Sequence, residues 1–487
     1  MAKRPNILWY STDQQRFDTI SALGNSHINT PTLDSLVANG TAFTRAYCQS
    51  PICTPSRSSF LTGMYPSRIH NTRNGNESFP EWPPLITKMI SDSGYECGMI
   101  GKFHLQSSGK RIEPRVDDGY SYWKFSHAPR DDWKEGHDYA DWVRHNGESL
   151  DDLRLSKSGI PIKLHQTKWA SDMAIDFITQ KRSQPWMLNI NVYDPHPPFI
   201  PAREYTDLYN PKDMPGPYFL ESDLEQQEQL ARIDFQGEVK RPEERDIKRI
   251  QAFYYAMISQ VDDQLARIIG KLNEIGQLEN TLIVFTTDHG ETLGDHGLLE
   301  KGCRFYEGLT RVPLIFSWPA GLKKNIKSNA LVELMDIAPT LLEITGIEVP
   351  EYMQGKSLMP ILTGHSADDK HREFVRCEYF DAIESQLTNE ASGPLGRVFT
   401  GGREEPDQYK DGIGTFATMF RNEEYKLIIY HGHNTGELYN LKHDPWEFNN
   451  LWDDPQHQDI KNNLIQESFD NHVLTTTDVG SRRIAPM

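Results

Sequence analysis

Apolar residues gather in short stretches along the chain, and several of these stretches stop at a cluster of charged or imidazole side chains. Asn6-Ile7-Leu8-Trp9-Tyr10 gives way to Asp13-Gln14-Gln15-Arg16. Tyr95 to Ile100 ends in Gly101-Lys102-Phe103-His104, and Trp186 to Tyr193 ends in Asp194-Pro195-His196-Pro197. Thr281 to Thr286 ends in Asp288-His289-Gly290. Runs of this length without polar alternation predict strands buried on both faces, as in a parallel sheet. In open α/β sheets ligands bind beyond the carboxyl ends of the strands. If these strands are neighbours, Asp13, Lys102, His104, His196, Asp288 and His289 meet in one crevice. Singly, each aspartate reads as a helix cap and each histidine as a structural side chain. Their recurrence at strand ends favours convergence.

Between the strands the period changes. Ile247, Ile250, Tyr254, Met257, Val261, Leu265, Ile268 and Leu272 recur at helical spacing, which predicts a helix over about Glu243 to Leu278 leading into the Thr281 strand. Arg311 to Trp318 reads as another strand and Leu331 to Thr345 as another helix. Leu105 to Lys168 lacks a clear period. Its Trp123, His127, Trp133, His137 and Trp142 offer flat faces for a sugar ring, or else belong to an irregular surface insertion. Glu384 to Gly414 is equally patternless. Near residue 370 the texture shifts. Phe416 to Phe420, Tyr425 to Tyr430 and Glu437 to Leu441 read as short antiparallel strands, followed by a polar helix from about His457 to Val473. The expected fold is α/β, with a large, mostly parallel sheet flanked by helices over residues 1–370. A smaller α+β subdomain with an antiparallel sheet is expected over residues 371–487, packed on it.

Composition narrows the partners. Among 487 residues, 69 Asp and Glu against 51 Lys and Arg give a net charge of −18, which argues against nucleic acid. An anionic substrate must therefore be met by a local basic cluster. The 5 cysteines (Cys48, Cys53, Cys97, Cys303, Cys377) show neither a disulfide framework nor zinc spacing, which fits a reducing compartment. No apolar leader precedes the first strand and no stretch is long enough to cross a bilayer, so the chain as written is expected in the cytoplasm. A periplasmic or secreted location is expected if a signal has been removed.

Cys53 changes the picture most. In Cys53-Thr54-Pro55-Ser56-Arg57 a cysteine stands just before a proline, a residue that favours the first turn of a helix. Backbone N–H groups there favour anions, and Arg57 is one turn on, the electropositive setting of reactive cysteines. With Leu61-Thr62-Gly63 the string resembles the signature of the type I sulfatases, of the alkaline-phosphatase-like superfamily. Glu437-Leu438-Tyr439-Asn440-Leu441 to Asp444-Pro445, with Asn449-Asn450-Leu451, resembles their C-terminal subdomain.

The resemblance implies that a maturase oxidises Cys53 to formylglycine, whose hydrate attacks the sulfur of a sulfate monoester. It implies a divalent metal at Asp13, Gln14, Asp288 and His289, also touching the modified Cys53. Lys102 and Lys301 would contact the sulfate. Arg57 would favour the deprotonated hydrate, His104 would take its second proton, and His196 would protonate the leaving alcohol. Gln14 and His289 stand where the commonest pattern has Asp and Asn. With Asp288-His289-Gly290-Glu291 to Gly297, this looks like choline sulfatases and phosphonate monoester hydrolases. Calcium is the first expectation, manganese the second. A sulfated carbohydrate is the expected substrate, with choline sulfate or a phosphonate monoester or phosphodiester as alternatives. An unmatured protein that only binds sulfate esters is the non-enzymatic one. His70, Arg73, Asn74, Asn76 and Arg304 are further candidates for gripping the alcohol portion, with loop structure as an equal reading.

Overall fold

The computed structural model describes residues 4–108, 112–133, 135–156, 159–231, 233–365, 369–381 and 415–476. Strands β1 (Asn6–Thr12), β2 (Thr41–Tyr47), β3 (Glu96–Gly101), β4 (Tyr122–Phe125), β5 (Trp186–Asn191), β6 (Thr281–Thr287), β7 (Arg311–Ser317) and β8 (Ile326–Glu333) form one 8-stranded sheet. Its order is β4-β3-β5-β1-β6-β7-β2-β8. The strands with the apolar runs, β3, β5, β1 and β6, are contiguous and mutually parallel. All side chains of β1, β5 and β6 are buried. On β1, Ile7 and Trp9 join one hydrophobic cluster, and Leu8 and Tyr10 the other, so the sheet separates two cores. The helix Ile247–Glu274 covers one of them with Val261, Leu265, Ile268 and Leu272.

That helix is shorter than its apolar period suggests, because Pro242–Arg245 forms a separate turn and Asp246 adopts φ 47° before it. The Arg311 strand is present, but β7 runs antiparallel to both β6 and β2. The helix expected from Leu331 begins only at Ile337. Leu331, Val332 and Glu333 instead end β8, paired with Arg45, Ala46 and Tyr47 of β2. A tertiary pairing overrides the local helical pattern there. The stretch from Leu105 to Lys168 contains β4 and the helices Asp138–His145 and Leu150–Leu155.

Strands β9 (Val375–Asp381), β10 (Thr415–Arg421), β11 (Tyr425–Tyr430) and β12 (Thr435–Asn440) form a separate antiparallel sheet, followed by the helix Gln458–Thr476. The patternless stretch Glu384 to Gly414 lies outside the described residues. Lys426 of β11 ties this sheet to the larger one. Its ammonium lies 2.8 Å from Glu307 and 2.7 Å from Glu447, and all three side chains are buried. Among the described residues no helix is long and apolar enough to cross a membrane.

Candidate active site

Cys53 opens the helix Cys53–Thr62, with Pro55 in its first turn and extended Ile52 before it. The thiol is buried and meets groups from separate strand ends. Lys301 Nζ donates to its Sγ at 2.9 Å and Lys102 Nζ at 3.3 Å, while His289 Nε2 lies at 3.2 Å and Asp13 Oδ1 at 3.9 Å. Ligand atoms of Asp13, Cys53, Asp288 and His289 all fall within 4.8 Å of one another. Burial alone would raise the thiol's pKa. Lys102, Lys301 and His289 outweigh it and hold Cys53 well below the usual thiol range.

Arg57 binds the carboxylates that flank the cysteine. It donates to Asp288 Oδ2 at 2.9 Å, Asp13 Oδ2 at 3.3 Å and the Lys102 carbonyl at 2.8 Å. The Lys102 ammonium also donates to Asp13. Burial works against the charge on Asp13, but Lys102, His196 and Arg57 hold its carboxyl well below the ordinary range. Close backbone approach sets Lys102 in place. Gly101 has φ 103°, a Cβ there would lie 2.0 Å from the Asn191 carbonyl oxygen, and Lys102 N–H donates to that oxygen at 2.9 Å.

The remaining donors suit a divalent cation. The side-chain nitrogen of Gln14 donates to the Glu291 carboxylate, so its oxygen faces Lys301 Nζ at 2.7 Å. Gln14 takes φ 68°, and its N–H donates to Asp288 Oδ1 at 3.0 Å. In neutral His289, Nδ1–H donates to the Gly290 carbonyl at 2.8 Å, which leaves the Nε2 lone pair on the cysteine side. Burial disfavours a charge on His289, and Asp288 more than offsets that, placing its pKa above the ordinary value. Carboxylate and amide oxygens beside one imidazole make a mixed hard set that fits calcium or manganese.

His104 adopts φ 59° on a loop held by Glu113. The Glu113 carboxylate accepts the N–H groups of His104, Leu105 and Gln106 at 2.6, 2.5 and 2.9 Å. Burial and Lys102 push His104 down to about 4, against a hydrogen bond to Cys53 that raises it. His104 is therefore neutral at pH 7. His196 is half-buried just beyond the end of β5, and its charge acts on Asp13. Its ring rests on Tyr193 with centroids 4.6 Å apart, and Nδ1–H donates to the Pro197 carbonyl at 2.6 Å.

The structure thus brings together Asp13, Gln14, Cys53, Arg57, Lys102, His104, Asp288, His289 and Lys301, with His196 at the edge. Sequence reasoning passed over Glu291 and Glu113, which act through the backbone and side chains they hold. Glu291 stood in the quoted Asp288 to Gly297 string, and Glu113 gave no signal. Arg304 is not in the site, since its buried guanidinium donates to Gln227 and the Cys303 and Leu230 carbonyls. Asn74 accepts Thr54 N–H at 2.9 Å and so caps the cysteine's helix. Trp133 and His137 are buried in the fold and offer no sugar-binding face. A cavity of about 390 Å³ lined by Phe17, Tyr218 and Trp446 includes none of the residues around Cys53.

Residues 5–347 match the sequence model of the sulfatases. The chain belongs to the sulfatase family. It is accordingly a sulfuric ester hydrolase, and that family generally uses a metal and formylglycine, for which this buried Asp, Cys, Asp and His group is in place. Residues 415–472 of this sulfatase also match the model described as N-sulphoglucosamine sulphohydrolase, C-terminal. An arylsulfatase of Clostridium perfringens is 31% identical over 397 residues, covering 77% of this chain and 82% of its own. The N-acetylglucosamine-6-O-sulfatase of Bacteroides thetaiotaomicron is 26% identical, with 95% and 85% covered. The phosphonate monoester hydrolase of Agrobacterium radiobacter shares the fold at a TM-score of 0.80 and 24% identity, with 97% of this chain and 96% of that chain covered.

Proposed function

We propose that this sulfatase releases sulfate from a sulfated mono- or oligosaccharide. Its nucleophile is formylglycine made from Cys53 by a maturase, with a divalent cation held by Asp13, Gln14, Asp288, His289 and the modified Cys53. The observation that carries the reading is the convergence of ligand atoms from Asp13, Cys53, Asp288 and His289 within 4.8 Å, beneath two lysines on the cysteine. When bound, the cation and the aldehyde hydrate supply a Lewis acid and an oxygen nucleophile. Calcium suits the oxygen donors, and the neutral Gln14 and His289 bring manganese next.

Lys102 and Lys301 offset charge on the sulfuryl oxygens. Arg57 keeps Asp13 and Asp288 ionised and aimed. Neutral His104, with its pKa near about 4, takes a proton on its cysteine-facing side. His196 acts as the doubly protonated ring, in which Nδ1–H stays on the Pro197 carbonyl and the Nε2 proton passes to the departing alcohol, leaving the ring neutral. The match of residues 415–472 and the N-acetylglucosamine-6-O-sulfatase relative support a carbohydrate substrate. A division into 1–370 and 371–487 is proposed with it, supported by the two separate sheets.

The test is turnover by maturase-treated protein on glucosamine 6-sulfate, choline sulfate and an aryl phosphonate monoester. The highest kcat/KM is expected on the sugar sulfate. A highest value on the phosphonate would overturn the substrate reading.

A further inference from the structure

Among the described residues, two imidazole nitrogens, His104 Nδ1 and His127 Nε2, are buried without a hydrogen-bond partner. His104 belongs to the constellation already described, but His127 has no part in it. The backbone N–H of Ala128 donates to His127 Nδ1 at 2.8 Å. A backbone N–H can only donate, so Nδ1 is unprotonated and the neutral ring carries its hydrogen on Nε2. His127 thus holds a buried N–H with no acceptor, a costly arrangement unless a ligand completes it. Its surroundings are those of the crevice. The ring lies edge-on to His104, with centroids 4.8 Å apart, and 6.0 Å from Tyr193, on which His196 also rests. Lys102 and His196 act on it electrostatically, and burial with these neighbours keeps it uncharged.

We propose that His127 is a substrate-binding residue whose Nε2–H donates to an oxygen of the alcohol portion of the sulfate ester, favouring hydroxylated substrates. The lysines on Cys53 already serve the charged sulfuryl group. His127 stands beside His104 and shares Tyr193 with His196, the proposed proton donor to the alcohol, and an uncharged donor suits a hydroxyl or ether oxygen. This rests on the sulfatase reading of the crevice.

The test uses the unmatured thiol form, so that binding is read without turnover. Calorimetry in calcium-containing buffer compares glucosamine 6-sulfate with inorganic sulfate. His127→Phe is expected to weaken the sugar sulfate about 10- to 100-fold while moving sulfate less than about threefold. It should leave the melting temperature unchanged or raised, since a buried orphan donor is removed. His127→Gln should recover most of the sugar affinity. Equal weakening of both ligands, no weakening, or a lowered melting temperature with no recovery in Gln would overturn the role of His127 alone. Failure of the unsubstituted protein to bind either ligand would overturn the crevice reading, and this proposal with it.

Discussion

The Gln14 side-chain nitrogen donates to the Glu291 carboxylate, and this one contact decides which end of the amide faces Lys301 and the cysteine. Glu291 also accepts the Leu293 N–H at 3.0 Å, so its carboxylate is fixed from the backbone. Outer groups that orient a ligand commonly govern metal affinity about 10- to 100-fold. Glu291→Gln lets the Gln14 amide turn over. A loss of that size in calcium affinity is expected by calorimetry, with near-UV circular dichroism retained. Unchanged affinity would mean that Gln14 is no ligand.

Arg57 neutralises Asp13 and Asp288 in a fully buried setting. Removing one partner of such a cluster costs about 3–5 kcal/mol, because the other charges stay buried. Arg57→Met should therefore melt well below the parent protein in EDTA. A bound dication replaces part of the missing charge, so calcium should close much of that gap. A deficit that calcium does not reduce would contradict a cation seat between the two carboxylates.

The strands that form the crevice were readable because β1, β5 and β6 are buried on both faces and so carry largely apolar runs. β2 and β8 were not. Thr44, Arg45, Lys327 and Asn329 interrupt their apolar positions, and their partners lie far along the chain. The same distance hid the direction of Arg57. Sequence places it one turn after Cys53, yet Asp288, 231 positions away, captures its guanidinium. For Trp133 and His137, where sequence left a sugar face and a surface insertion both open, burial in the fold accounts for the rings.

Burial pushes Glu113 up to about 7, against the His104, Leu105 and Gln106 N–H groups that favour its anion. A carboxyl whose pKa is raised on folding contributes stability that is fully present below the unfolded value, near 4.5, and lost as pH rises through about 7. Glu113→Gln removes this dependence. Urea unfolding at pH 5 and pH 8 should show the parent losing about 2–3 kcal/mol relative to the variant over that interval. A constant difference would contradict it.

Lys426 joins the two sheets through Glu307, which also accepts from Tyr47 of β2. Glu447 pairs with Lys426 from its own side, and no side chain of Lys426, Glu307 and Glu447 is more than 4% exposed. Burial raises the Glu307 carboxyl, but Lys426, Arg421 and Arg311 bring it down to about 2. Lys426→Met leaves those carboxylates without their ammonium. A loss of about 3–5 kcal/mol is expected by denaturant unfolding, and a loss below about 1 kcal/mol would show that the cluster does not hold the sheets together.

The most direct measurement plots sulfate release from glucosamine 6-sulfate against the fraction of Cys53 converted to aldehyde, read from the mass of its peptide. Preparations with graded maturase exposure should fall on a straight line through the origin. Equal turnover from protein in which Cys53 is wholly thiol would contradict a nucleophile made from that residue.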